Sequence, residues 1–360
     1  MDENLPPPIF NRLSRWKLIL LLLVATLILL VLVVITIGPV QISLSNVYTI
    51  LVKEIPLIGD FVEGEIPAIE TEIVLNIRLP RVLGAAIVGV ALTAAGVVLQ
   101  GLLRNPMADP YVLGISAGAS LGASLAIGFG FGATVLGFLY AVPLMAFICA
   151  LGTIFLVYNV AKLSGGNSML SLLLIGIAVS SFLSAIVSFI KLISVDALHG
   201  IIYWIMGSLQ FAGWNHVYIA SPLILGGIVV IFFFARDLNV LSLGETQAQH
   251  LGVDADKLKT RLLICVSLVT AAAVSISGII GFIGLIIPHL TRILVGPDHR
   301  ILIPTSALLG AIVLIVCDTL ARVLMSPAEI PVGIITSLLG SPFFVYLLLN
   351  RKNRRSTWQN

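Results

Sequence analysis

The sequence predicts an all-α, polytopic membrane protein of ten transmembrane helices, with its N- and C-termini both cytoplasmic. Three observations carry that expectation. The 360 residues are 59% hydrophobic and only 10% charged, with a mean hydropathy of +1.12. Apolar runs of the roughly 20 residues needed to cross a bilayer recur along the chain. The cations are distributed unevenly between the segments joining those runs. Soluble domains carry about 25% charged residues, and twenty Lys+Arg with seventeen Asp+Glu cannot coat a globule of this length. Cys149, Cys265 and Cys317 all lie inside apolar runs, which excludes a secreted disulfide scaffold. The net charge of +3 is small and dispersed, so no nucleic-acid partner is expected.

The first span is expected at 18–38. Leu18 to Ile35 holds no charge and one threonine, and it follows Arg12, Arg15 and Lys17. That run exceeds the roughly 7–15 apolar residues of a signal peptide and no small-x-small cleavage site follows it, so the helix is retained. Further spans are expected at 82–103, 112–131, 135–160, 169–190, 215–235, 260–280, 282–295, 303–324 and 332–350. With the N-terminus inside, only Lys53, Arg78, Arg81, Lys191 and Arg322 of the twenty cations fall outside. That is the positive-inside bias of a protein in the cell (cytoplasmic or inner) membrane. The chain then divides into a cytoplasmic tail (1–17), one ten-helix membrane domain (18–350) and a basic cytoplasmic tail (351–360). Within the membrane domain, 39–77 is an extracytoplasmic segment and 236–259 a cytoplasmic one.

Small residues mark packing seams. Gly114, Gly118 and Gly122 recur every fourth residue, and Gly278, Gly281 and Gly284 every third. Such faces let helix backbones approach closely where lipid offers no hydrophobic drive.

Chemistry is conspicuous by what is missing. No phosphate-cradling G-x-x-x-x-G-K-[ST] occurs, and the five histidines show no H-E-x-x-H spacing. Gly114-Ile115-Ser116-Ala117-Gly118 matches a nucleophile elbow but falls in a membrane span, where the motif has no meaning. Proton-coupled carriers keep ionisable groups near mid-membrane, and the expected spans have almost none there. Asp318 and Arg322 sit four apart on one helix face and are expected to pair.

Two soluble segments carry information. The acidic outer segment ends in Arg78-Leu79-Pro80-Arg81, whose arginines either anchor a span at the interface or dock an acidic partner by bidentate contacts. In the inner segment, Gly244 and Gly252 bracket a short amphipathic helix, either an ordinary surface element or one suited to another protein's groove.

Several blocks, in order over roughly 78–350, together resemble the permease subunits of type II ABC importers, the iron-siderophore, vitamin B12 and haem uptake family. They include Arg78-Leu79-Pro80-Arg81, Asn105-Pro106, Ala108-Asp109-Pro110, Trp204-Ile205-Met206-Gly207-Ser208-Leu209 and Leu243-Gly244-Glu245. Gly296-Pro297-Asp298-His299, Asp318-Thr319-Leu320-Ala321-Arg322 and Glu329-Ile330-Pro331-Val332-Gly333 continue the series. The resemblance implies a type II importer permease fold of ten helices and a homodimer with a central path. It also implies two separate ATP-binding cassette ATPase subunits beneath and an extracytoplasmic substrate-binding protein above. ATP and Mg belong to the ATPase; this chain binds no cofactor and catalyses nothing.

By carry-over, Arg78, Arg81 and Arg322 engage the binding protein, and Glu245, Ala248, His250, Leu251 and Gly252 couple to the ATPase. Asn105, Met107, Asn167 and Ser168 form the cytoplasmic gate, and Trp204, Met206, Gly207 and Ser208 line the outer path. The expected cargo is a large metal chelate, iron-siderophore first, then cobalamin, then haem, moving along a mostly apolar pathway. The rival classes are a stand-alone secondary transporter of an organic solute and an intramembrane enzyme. Mid-span carboxylates would mark the first, and a Ser–His or paired-Asp constellation at one depth the second.

Overall fold

The computed structural model describes residues 9–56, 66–132, 137–163 and 169–350. Among these the chain is helical, without strands. In chain order the elements are α1 (Ile9–Thr36), α2 (Leu44–Lys53), α3 (Ala68–Leu103), a 3-10 turn (Pro110–Leu113), α4 (Ile115–Phe129), α5 (Phe138–Leu163), α6 (Met169–Ile193) and α7 (Leu198–Ile205). Then follow α8 (Trp214–Phe233), α9 (Ala235–Ser242), α10 (Glu245–His250), α11 (Ala255–Ser277), α12 (Ile283–Val295), α13 (His299–Val323) and α14 (Val332–Asn350). Seven described helices are long and apolar enough to cross a membrane: α1, α3, α5, α6, α8, α11 and α13. The spans expected at 112–131, 282–295 and 332–350 correspond to shorter apolar helices, α4, α12 and α14.

Burial ranks these helices. The most apolar window of α3 is 78% buried, against 11% for α1 and 17% for α6. α3 is therefore the central post, packed by α8, α11, α12 and α13, while α1 and α6 lie at the periphery. Glycine permits the closest crossings. A Cβ on Gly96 would overlap the carbonyl of Gly284 on α12, and one on Gly89 would overlap Gly310 on α13. The predicted Gly118–Gly122 seam is real, since side chains there would strike Thr153 and the backbone at Cys149 and Met145 of α5.

Three expectations need correction. α1 begins at Ile9, so the basic stretch assigned to a tail continues the helix backbone. The second span starts at Ala68 rather than 82, because most of the acidic segment's C-terminal part is the first three turns of α3. The Gly278–Gly284 series is no helical stripe: α11 stops at Ser277, Gly278 takes φ +64°, and α12 begins only at Ile283.

The long α3 survives Pro80 through a local change of hydrogen bonding. Proline has no N–H to give the preceding turn, and residues Ile73–Arg78 widen into a π-helical turn just before it. The Leu79 N–H therefore reaches Val74 O instead of Leu75 O. Leu75 O is satisfied by the Trp214 indole N–H at 2.8 Å, which ties α8 to this turn. A buried carbonyl left without such a donor would cost about 1–3 kcal/mol.

Candidate functional site

Three neighbourhoods hold the polar chemistry of this apolar bundle. The first is an elongated cavity of about 660 Å³ between α4 and α6, bounded by Tyr111 and Val112 at one end and Lys191 at the other. Six serines line it: Ser116 and Ser120 from α4, and Ser180, Ser181, Ser184 and Ser188 from α6. Their spacing of about four residues puts successive hydroxyls on one helix face. Ser180, Ser181 and Ser188 donate to carbonyls four residues back, at 2.7, 3.0 and 2.9 Å. With the protons spent inside the helix, the oxygens offer acceptor lone pairs to the cavity. Lys191 is the one charged side chain among its lining residues.

The expected pathway residues stand beside this cavity rather than in it. Ile205, Ile279 and Tyr111 belong to its wall, whereas Gly207 and Ser208 serve the break between α11 and α12. Ser208 N–H donates to Ser277 O at 2.8 Å, and a Cβ on Gly207 would overlap Ile279 O. Tyr111 holds the same break from the other side, its hydroxyl donating to Ile280 O (3.0 Å) and accepting from Ile280 N–H (3.1 Å). Trp204 is partly buried, and Met206 is 43% exposed. Asn105 accepts from Met107 N–H at 3.0 Å, which caps the turn after α3. Asn167 and Ser168 lie outside the described residues. The serine ladder was the readable signal that the motif blocks passed over.

The second neighbourhood is α10. Gly244 enters it at φ +133° and Gly252 leaves it at φ +84°. Gly252 N–H bonds to Gln249 O and Val253 N–H to Ala248 O, the paired closure that a left-handed glycine makes possible at a helix end. Glu245, His250, Leu251 and Gly252 are exposed, as a docking face requires, and Leu251 shows 63% of its surface. Ala248 is the exception: fully buried, it seats the helix against its own chain and cannot touch another. Lys259 also holds the helix from below, its Nζ 2.7 Å from Glu245.

Below α10 stands a clamp made by Asn239, Asp298, His299 and Arg300. Asn239 Oδ1 accepts from His299 N–H at 2.8 Å, and its Nδ2 donates to Asp298 Oδ1 at 2.8 Å. Burial works against ionising Asp298, but hydrogen bonds from Arg300 and Asn239 outweigh it and hold the carboxyl at about 2.

The third neighbourhood lies at the other end of α13. Arg78, Arg81 and Arg322, expected to face a partner, are turned inward and are 4%, 6% and 4% exposed. Arg81 spans two carboxylates, with Nη2 on Asp318 at 2.9 Å and Nη1 on Glu329 at 2.9 Å. The expected Asp318–Arg322 pair forms at 3.4 Å. Three cations against two carboxylates leave one positive charge over. It is offset by the C-terminus of α1, where unpaired carbonyls carry negative potential. Arg78 donates to Ile35 O at 2.6 Å, to Thr36 O at 3.1 Å and to Val40 O, and Arg322 donates to Ile37 O at 3.2 Å. Guanidiniums so engaged act as internal braces, their forks already taken by carboxylates and carbonyls of the chain itself. Asp109, meanwhile, caps Tyr111 N–H at 2.8 Å, well away from Asp318, so no carboxylate dyad forms.

A model described as the FecCD transport family matches residues 25–350. The cobalamin import permease BtuC of Halobacterium salinarum is 46% identical over 289 residues, covering 80% of this chain and 76% of that protein. The hemin transport permease HmuU of Yersinia pestis is 46% identical over 283 residues, covering 78% and 84%. A solved structure of a metal-chelate type ABC transporter in an inward-facing conformation superposes with a TM-score of 0.79 at 35% identity, covering 93% of this chain and 99% of that one.

Proposed function

The chain belongs to the FecCD transport family, a multi-pass, non-catalytic permease subunit of an ABC importer, and from that premise we propose how its parts serve import. The α4–α6 cavity is one protomer's half of the translocation path, completed by a second copy across the weakly buried α6. Ten crossings with both termini cytoplasmic place α10 inside and the Arg81 cluster outside, in keeping with the fifteen-to-five division of cations in the sequence. Glu245, His250, Leu251 and Gly252 present the seat for one of two ATPase subunits, which bind ATP and Mg. Asn105 and Met107, with Asn167 and Ser168, gate the cytoplasmic side, and Trp204 to Ser208 frame the outer part of the path. A substrate-binding protein delivers cargo to the outer rim that Arg78, Arg81 and Arg322 brace from within.

The single observation that carries the cargo assignment is the serine-lined cavity with Lys191 at one end. Most of the cavity's lining surface is still apolar, as expected of the pathway, with the serine hydroxyls and Lys191 set into it. Hydroxyl oxygens and one ammonium make weak contacts that let a solute leave as readily as it enters. They suit the oxygen-rich surface of an iron-siderophore better than the flat apolar face of haem, with cobalamin between. The test is uptake into proteoliposomes holding the permease, its ATPase and the binding protein encoded beside it. Ferric siderophores, cobalamin and haem are offered in parallel. Accumulation of a ferric siderophore is expected; accumulation of haem alone would refute the cargo assignment.

A further inference from the structure

We propose that Asn239 is a positioning residue that locks the ATPase-facing segment to α13, so that a displacement of α10 is carried into the membrane helices instead of being absorbed by the α8–α11 connection.

The bonding of one side chain makes the case. Asn239 sits in α9, one residue after Leu238 and two before Leu241, both 1% exposed in the packing of α9 on α3 and α13. Its Oδ1 accepts from the backbone N–H of His299 at 2.8 Å and faces His299 Nδ1 at 2.7 Å, while Nδ2 donates to Asp298 Oδ1 at 2.8 Å. Since the amide oxygen only accepts, the histidine proton is assigned to Nδ1. Asp298 is the N-cap of α13 and accepts from Arg300 N–H at 3.0 Å. Arg300 pairs with Asp298 at 2.6 Å and lies 5.8 Å over the Trp16 ring of α1. On the far side, His299 is buried against α3, where a Cβ on Gly101 would lie 2.8 Å from its Nε2. Three hydrogen bonds thus join α9 to the first turn of α13, at a point already wedged against α1 and α3.

Only Leu243 and Gly244 separate α9 from α10, so α10 has little slack relative to this clamp. From Asp298 to Asp318, α13 runs about 30 Å at 1.5 Å per residue, and its far end carries the Asp318–Arg81–Glu329 ion cluster. One continuous helix therefore joins the ATPase seat to the outer rim.

The inference rests on α10 being the ATPase seat, and the experiment separates the two. ATP hydrolysed per chelate transported is measured in the assembled importer for Asn239→Ala, Asn239→Asp, the double variant Asn239→Asp with Asp298→Asn, and Leu251→Glu. Asn239→Ala is expected to retain the ATPase but raise that ratio about tenfold, the scale set by losing hydrogen bonds to a charged group and orphaning a buried one. Asn239→Asp sets two carboxylates together and should uncouple as strongly. Adding Asp298→Asn returns one donor and one acceptor to the contact, keeps a good N-cap, and should restore most of the coupling. A merely structural role predicts falling yield without that rescue. Wild-type stoichiometry in Asn239→Ala, or a double variant coupled no better than Asn239→Asp, overturns the inference. If Leu251→Glu releases the ATPase while Asn239→Ala stays coupled, this inference alone falls; if neither variant changes anything, the seat falls with it.

Discussion

Asp318→Ala is expected to destabilise the folded protein by about 3–5 kcal/mol, the range for removing one partner of a buried ion pair. Asp318 is 1% exposed and takes Arg81 through contacts of 2.9, 3.0 and 3.2 Å, with Arg322 at 3.4 Å. Its loss leaves three buried guanidiniums to one remaining carboxylate, Glu329, in a cluster that already carries one positive charge too many. The α1 carbonyls cannot absorb a second, because Arg78 and Arg322 have taken those of Ile35, Thr36, Ile37 and Val40. Thermal unfolding in mild detergent, followed by the loss of monodisperse protein, reads the effect directly. Asp318→Asn should be nearly as damaging, since the charge and not the volume is at issue. Replacing Arg322 by Met beside Asp318→Ala should recover part of the loss by removing one orphaned cation. Wild-type melting of Asp318→Ala would mean that the cluster is a solvated rim and not a buried brace.

Leu251→Glu is expected to cut ATP-driven transport at least about tenfold without changing folding. On a docking face the substitution loses the leucine's apolar burial and forces a carboxylate out of water, together about 2 kcal/mol or more, roughly a thirtyfold loss of affinity. At 63% exposure Leu251 contributes little to the chain's own packing, so its replacement separates docking from stability. Ala248→Glu is the contrasting case: a charge forced into a fully buried position should unseat α10 and lower the yield of folded protein. Co-purification of the ATPase, with melting temperature alongside, distinguishes the two. If Leu251→Glu keeps its ATPase and its transport rate, α10 is an ordinary surface helix.

Much of this architecture was legible in residue order, for identifiable reasons. Hydropathy marks where a helix can cross, so seven described helices long and apolar enough to span, and three shorter apolar ones, stand at the runs read from the sequence. The spacing of Asp318 and Arg322 is local, and the pair forms. Gly244 and Gly252 bracket α10 because their positive φ is a local demand of the turns. What escaped were contacts set by distant parts of the chain. Arg81 and Asp318 are 237 residues apart and Arg78 lies 43 from Ile35, so charge patterning placed these arginines outside without showing that they turn inward. Ala248 looks like its exposed neighbours in a short amphipathic run, and only packing against the rest of the chain buries it. The break at 278–282 was hidden because an apolar run reads the same whether or not the helix is continuous. The serines of α6 were visible at four-residue spacing, but their meaning depends on α4 facing them.

We propose that a separate ATPase acting on this chain drives import. The most direct test is chelate uptake by proteoliposomes containing the permease, its ATPase and binding protein, with ATP or a proton gradient supplied separately. Uptake is expected with ATP inside, and none with the gradient alone or with an ATPase unable to hydrolyse ATP. Uptake that follows the proton gradient and persists without the ATPase would rule out ATP-driven import and identify a secondary carrier.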